Sequence, residues 1–247
     1  MYSEVKQMTN QNKIQLLRSL YKDGLTVDQL CDKLERGEHF TFSRFGDGEF
    51  NAIYSAMNNE PGENCDGHQY FPDMGKELGE ILKAKRPYHI GIDTSERPVK
   101  MERSLGFLSN NNLLSKKYSR SDLFHIALVR QCFSRFFDAI SKKKVIVIGP
   151  IYLNQLALLS EETGNKHIVI PSSNCWTYTT DIKERMVMED IQGKVLLFVA
   201  SMAANVWIDR LYQQYADNIT MIDLGSAFDP YCGRQTRSFH KRIKIKL

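Results

Sequence analysis

KVIVIGP, at residues 144–150, is the stretch on which the fold turns. Val145, Ile146, Val147 and Ile148 follow one another with no polar residue between them. A strand with one wet face alternates apolar and polar side chains, whereas an unbroken apolar run of this length predicts a strand covered on both faces. Three further runs repeat the pattern, HIVIPSS (167–173), KVLLFVAS (194–201) and ITMIDLGS (219–226), each closing in small or polar residues. Helix-like segments separate them, among them IYLNQLALLSEE (151–162) and AANVWIDRLYQQY (203–215). Alternation of this kind predicts an α/β, Rossmann-like domain with a mostly parallel sheet flanked by helices.

Upstream, TVDQLCDKLERGE (26–38) predicts a helix, with Thr26 and Gln29 at capping-box spacing and Gly37 at its end. It leads into HFTFSRF (39–45), which reads as a strand. EFNAIYSAM (49–57) and FPDMGKELGEILKAK (71–85) read as helices, the second with Pro72 near its first turn and Met74, Leu78, Ile81 and Leu82 on one stripe. YHIGID (88–93) reads as a strand. SDLFHIALVRQCFSRFFDAI (121–140) predicts one long helix whose aromatic stripe, Phe133, Phe136 and Phe137, belongs to the core, with His125 in a structural role.

No repeat, low-complexity segment or Pro/Gly/Ser-rich linker divides the 247 residues, so a single domain over 1–247 is expected, with an N-terminal helical extension (1–25) ahead of the catalytic α/β part (26–247). No apolar run approaches the roughly 18 residues of a membrane span, and MYSEVKQMTNQNKIQ lacks the apolar segment of a secretory signal, which points to the cytoplasm. The five cysteines are scattered without a C-x-x-C, which argues against a disulfide framework and a zinc site. The net charge of +4 is gathered at the C-terminus, where Arg234, Arg237, Lys241, Arg242, Lys244 and Lys246 occur without one acid. That block suits an anion, or a lysine-protected edge strand over the last six residues. The rest of the chain offers no basic face for nucleic acid.

In open parallel sheets ligands bind beyond the carboxyl ends of the strands, so the residues at those ends are the candidates. The first end is RFGDGEF (44–50). If the chain stays extended through the turn, Asp47 and Glu49 project to the same side and can share a hard cation, Mg²⁺ or Mn²⁺, whose other positions water and a diphosphate fill. Gly46 and Gly48 allow close approach, and Arg44 adds a fixed cation beside the phosphates. The same letters also describe a plain Asp-Gly turn with Glu49 at a helix N-terminus. Ser201, in FVASMAANVW, opens a helix that can hold phosphate, or a tight helix–sheet contact. IPSSNCW offers Ser172 and Asn174 for hydrogen bonds and Trp176 for stacking, or a turn with a packed Trp. In DLGSAFDPYCGRQTRSFHK, Ser226 and Asp229 follow a strand and Arg234, Arg237, His240 and Lys241 follow them, as cations that can neutralise a leaving diphosphate. His68, beside Asp66 in a polar turn, is a candidate ligand, acceptor contact or acid/base, or an ordinary loop histidine. No dinucleotide fingerprint, P-loop, G-x-S-x-G or H-E-x-x-H occurs.

The ordered set R-F-G-D-G-E, N-C-D-G-x-x-Y, V-I-G-P-x-Y-L, I-P-S-x-N-x-W and D-L-G-S-x-x-D-P-Y-x-G-R-x-x-R-S-x-H-K, from Phe40 to Lys241, resembles the GT-D glycosyltransferases, a bacterial family with a DXE motif and a Rossmann-like fold. The resemblance implies a metal-dependent transferase using a nucleotide-activated sugar, typically UDP-linked glucose or a relative, with Asp47 and Glu49 at the DXE positions. It implies an acceptor on a glycan, glycoprotein or lipid carrier, the last consistent with peripheral membrane contact. Asp66, His68 and Asp229 are the candidate bases. A metal-dependent nucleotide-sugar hydrolase and a non-catalytic nucleotide-binding module use the same features.

Overall fold

The computed structural model describes residues 2–64, 67–180 and 190–243. Asp66, and Lys244 to Leu247 of the expected edge strand, lie outside the described residues. Among the described residues no helix is long and apolar enough to cross a membrane.

The strands are β1 (Thr41–Phe45), β2 (His89–Ile92), β3 (Ser119–Arg120), β4 (Val145–Pro150), β5 (Lys166–Ile170), β6 (Val195–Phe198) and β7 (Thr220–Asp223). They form one seven-stranded parallel sheet in the order β3-β2-β1-β7-β6-β4-β5. The register sets Ile148 beside Ile168 and Phe198, and Leu197 beside Ile222. Among the described residues the helices are α1 (Tyr2–Gln7), α2 (Asn10–Tyr21), α3 (Val27–Arg36), α4 (Asp47–Asn58), α5 (Pro72–Lys83), α6 (Pro98–Asn110), α7 (Leu123–Val129), α8 (Ser134–Ser141) and α9 (Ala203–Tyr215). The α/β reading of the four apolar runs is therefore what forms, and all six residues of β4 are buried.

The chain divides into two compact units. One comprises Met1–Thr26 and Arg44–Asp122, the other Val27–Ser43 and Leu123–Leu247. In the first unit, the N-terminal helices are tied down by the Tyr118 N–H, which donates to Leu20 O, and the Leu25 N–H, which donates to Ser119 Oγ. Helices α4 and α5 touch through Gly75: a Cβ there would lie 2.3 Å from Ala52 O and 2.7 Å from Ala56 Cβ. Glycine is thus what lets α5 approach the backbone of the helix that Asp47 begins. Across α4 and α6, the Phe50 and Phe107 rings meet edge to face at 6.4 Å.

The second unit holds the continuous apolar core, with Ile146, Ile148, Phe198, Ala204 and Trp207 packed together. Helix α3 ends as expected at Gly37, whose φ of 71° puts it in the left-handed region, and the Glu38 N–H donates back to Lys33 O.

Two expected helices differ. The long helix over 121–140 is broken into α7 and α8 by Gln131, at φ 58°. The Gln131 N–H donates to Leu128 O and the Cys132 N–H to Ala127 O, the two bonds that close a helix at a left-handed residue. The break turns Phe133 and Phe136 onto Phe124 and lets Phe137 stack on Phe228, so the stripe is core without being one helix. Residues 151–162 form 3₁₀ turns at Ile151–Gln155, Ala157–Leu159 and Glu161–Thr163. Extended backbone at Leu156 (ψ 129°) and Ser160 (ψ 152°) separates them, and Leu153, Leu156 and Leu158 are buried by this path.

Candidate functional site

In the first unit, the chain does not stay extended through GDGE. Strand β1 stops at Phe45, Gly46 is the N-cap of α4, and Asp47 is already its first residue. Asp47 and Glu49 therefore sit two apart on a helical turn, where such positions do not face each other. Glu49 turns back, and its Oε2 accepts the Gly46 N–H at 2.8 Å, the one half of a capping box that a glycine N-cap permits. A Cβ at Gly46 would approach that oxygen to 3.3 Å, so this glycine clears room for the cap. Gly48 lies inside the same first turn.

Asp47 Oδ2 accepts instead from the Lys100 ammonium. Lys100 stands in the first turn of α6, where the helix dipole disfavours a cation, so the ion pair compensates a position that helix electrostatics oppose. Beyond β2 comes Asp93, only 7% exposed. Its Oδ1 accepts the Ser95 N–H at 3.1 Å; its Oδ2 is buried with no hydrogen-bond partner. Burial pushes the Asp93 carboxyl up to about 6 against the pull of the Ser95 N–H, and the Asp47 carboxylate adds to the rise. At the end of β3, Arg120 grips Asp122 with two parallel hydrogen bonds of 2.9 and 2.8 Å and lies over the Tyr21 ring. One turn along α4 from Asp47, Asn51 accepts from Arg103 Nη1 at 2.6 Å and donates to the Tyr70 hydroxyl at 3.4 Å.

Arg44, at the end of β1, carries the most exacting demand for a ligand: its Nε and Nη1 are buried and lack hydrogen-bond partners. Guanidinium donors removed from water are costly until an acceptor meets them, and a bidentate oxyanion is the acceptor their geometry fits. His68 lies in a small loop closed by its own backbone: its N–H donates to Asn64 Oδ1 and its carbonyl accepts the Asn64 N–H.

For a divalent cation, the donors this unit offers are hard carboxylate oxygens, the correct chemistry for Mg²⁺ or Mn²⁺. Asp47 and the Oδ2 of Asp93 offer such oxygens, and Glu49 places one of its two, Oε2, on the Gly46 N–H. Among the described residues no three His, Cys, Asp or Glu side chains form a metal-binding group, so an ion here would keep positions for water or phosphate oxygens.

In the second unit, Asp229 is buried, with Oδ1 accepting from the Tyr152 hydroxyl at 2.8 Å and Oδ2 from Thr236. Burial raises its carboxyl above the ordinary range, opposed by both hydroxyls. Both oxygens are occupied in joining two loops. Arg234 is exposed and lies over the Tyr152 ring at 4.2 Å. Ser226 Oγ is 3.4 Å from His125 Nε2, whose ring meets Phe239. His240 is 2% exposed; its Nδ1 accepts the Arg237 N–H, its Nε2 is buried without a partner, and burial lowers the imidazole to about 4. It is therefore neutral and internal, while Lys241 is exposed. Ser201 (φ 50°) and Asn174 (φ 51°) both take left-handed backbone at strand ends, Ser201 just ahead of α9 and Asn174 just ahead of a 3₁₀ turn. Ser172 precedes that turn, and the Arg210 guanidinium lies 5.7 Å from the centre of the Trp176 ring.

No protein-family model and no curated protein matches the chain. Two solved structures do. One is described as the domain of unknown function 1792 with a distinct glycosyltransferase fold; it has a TM-score of 0.66 at 16% identity, over 97% of this chain and 95% of its own. The other, a selenomethionine-substituted structure of domain of unknown function 1792, gives 0.65 at 15% identity with the same coverage. The likeness is one of fold. At that level this α/β sheet matches a glycosyltransferase-like architecture.

Asp93, Lys100, Asn51 and Arg103 were not among the candidates read from sequence. Asp93 carried one signal, a carboxylate immediately after an apolar strand.

Proposed function

We propose that this protein is a metal-dependent glycosyltransferase of the GT-D kind, moving a hexose from a nucleotide diphosphate sugar, most simply a UDP-sugar, to a hydroxyl on a glycan, glycoprotein or lipid-linked acceptor. The observation that carries the reading is Arg44, whose two buried, partnerless donors ask for an oxyanion at the end of β1. A diphosphate would supply it, and the likeness to a glycosyltransferase fold supports reading that diphosphate as part of a nucleotide sugar. In this reading Arg44 donates Nε–H and Nη1–H to diphosphate oxygens, holding the donor and offsetting charge as the anomeric carbon–oxygen bond breaks. Asp47 would hold the divalent cation, whose positive charge would help offset the negative charge developing on the departing nucleotide. Arg120, fixed by Asp122, keeps the neighbouring strand end from moving, and Asn51 with Arg103 orients Tyr70 next to the same turn of α4.

The test is nucleotide release from UDP-, GDP- and dTDP-sugars with Mn²⁺ or chelator, comparing wild type with Asp47→Asn, followed by a search for the acceptor. Metal-dependent release from one donor, lost in the folded variant and accelerated by an acceptor, supports the transferase. Release of free sugar at a rate no acceptor changes makes it a hydrolase. Neither binding nor release of any donor refutes the nucleotide-sugar reading.

A further inference from the structure

The carboxyl ends of β1, β2 and β3 converge where Asp93 leaves the sheet. The three strands are neighbours with β2 in the middle, and the Ser121 N–H, just past β3, donates to Ile92 O at 3.0 Å. A Cβ at Gly46, just past β1, would lie 3.9 Å from Ser121 Oγ. Two buried groups at these ends have opposite needs. Arg44 holds two N–H donors, Nε and Nη1, without an acceptor, and Asp93 holds one acceptor, Oδ2, without a donor. The other Asp93 oxygen is taken, because Oδ1 accepts the Ser95 N–H. Charge is already balanced here: Lys100 pairs with Asp47 and Arg120 with Asp122, which leaves Arg44 and Arg103 to set against Asp93 and Glu49. Asp93 is therefore short of a hydrogen bond and not of a cation. A carboxylate that is 7% exposed gains most from a donor that adds no charge beside a buried guanidinium, and a hydroxyl is such a donor.

The two needs arise on adjacent strands, about 4.8 Å apart, roughly the span of one sugar ring. A sugar phosphate answers both, with its oxyanion on Arg44 and a ring hydroxyl on Asp93. We propose that Asp93 is the residue that selects the transferred hexose, its Oδ2 accepting one hexose hydroxyl while the Arg44 guanidinium holds the adjoining phosphate. The inference rests on the nucleotide-sugar reading for the nature of the ligand, and adds which side chain reads the sugar. Burial assigns the hydroxyl to the hexose and not to the ribose, because a transferase must keep water from the anomeric carbon, and Asp93 is the water-excluded end of the pair. A site built around such a hydrogen bond rejects a sugar that lacks the hydroxyl, since the carboxylate is then left buried and unpaired.

The experiment is calorimetric titration of the full chain at neutral pH with Mn²⁺ present. The probes are the tightest-binding donor among UDP-, GDP- and dTDP-sugars, its monodeoxy-sugar forms, its free nucleoside diphosphate, and glucosyl phosphate. Far-ultraviolet circular dichroism confirms that Asp93→Asn is folded. Asp93→Asn weakens binding of the nucleotide sugar by about tenfold or more and leaves that of the free nucleotide within about twofold. In wild type, one monodeoxy donor loses a similar factor, and in Asp93→Asn the same deoxygenation costs nothing further, which identifies the two as partners in one hydrogen bond. Equal weakening of nucleotide and nucleotide sugar overturns the assignment, because it places Asp93 on the ribose or on the ion. Unchanged affinity for both overturns it as well, and so does a wild type that binds every monodeoxy form as tightly as the parent, a result that needs no variant to fold. The proposed function fails separately: glucosyl phosphate binding that depends on Asp93, with no nucleotide sugar bound, keeps the hydroxyl contact and removes the nucleotide-sugar reading. Binding of neither by wild type overturns both.

Discussion

Asparagine at position 93 tests the electrostatics of the β2 end directly. It preserves the shape of the side chain and an oxygen for the Ser95 N–H, and it removes the buried charge. The wild-type carboxyl is held near 6 in the folded protein against an ordinary 3.8. Between those values the folded chain keeps a proton that the unfolded chain has lost, so stability falls as pH rises through the window. The stabilisation from the protonated group is fully present below the lower value and gone above the upper one. A gap of about two pK units at 1.36 kcal/mol each amounts to about 3 kcal/mol. Asp93→Asn has no such term, so relative to wild type it gains about 3 kcal/mol on going from about pH 3 to about pH 7.5. For a chain of this size that is a relative rise in Tm of roughly 6 to 12 °C. The assay is thermal unfolding by circular dichroism in chelator at both pH values, where carboxylates common to the two proteins cancel. Any fixed cost of burying the amide cancels as well. An equal stability difference at both pH values refutes the reasoning.

Arg44→Met removes two unsatisfied buried donors, so it weakens UDP binding by about tenfold or more without loss of stability, as calorimetry and thermal melts together will report. Gly75→Ala forces a methyl into Ala52 O and costs about 1 to 3 kcal/mol in urea unfolding. Tyr152→Phe leaves Asp229 Oδ1 without its hydroxyl and costs about 1 to 3 kcal/mol, with faster amide exchange across residues 229–236 as the local sign.

The sheet was legible because four of its strands are written as unbroken apolar runs, a pattern that burial on both faces requires. Strand β3 was not, since Ser119 and Arg120 are two polar letters whose pairing with Gly91 and Ile92 belongs to the tertiary structure. The residues 151–162 have apolar spacing that suits a helix, yet Leu156 and Ser160 are extended, because reaching the buried positions of Leu153 and Leu158 decided the path. At the candidate site, Arg44, Asp47 and Glu49 were visible as types in a turn. Glu49 at a helix N-terminus was one of the two readings the turn left open, and it is what forms; that the helix begins already at Asp47 with Gly46 as its N-cap was not legible, because Asp-Gly reads as a turn. Lys100 is 53 residues from its partner, and the missing partner of Asp93 Oδ2 is a property of packing that no local pattern records.

The seam between α4 and α5 has a consequence for how this chain can vary. A side chain at 75 would meet a main-chain carbonyl, which no substitution at 52 can shorten, whereas at 56 it would meet only a methyl. In a library randomised at 52, 56 and 75 and sorted for folded protein, glycine at 75 will be recovered almost without exchange and 56 will trade among the smallest residues. The distance between the two helices is thus set by main chain against main chain, and the first turn carrying Asp47 inherits its placement from a residue that has no side chain to mutate.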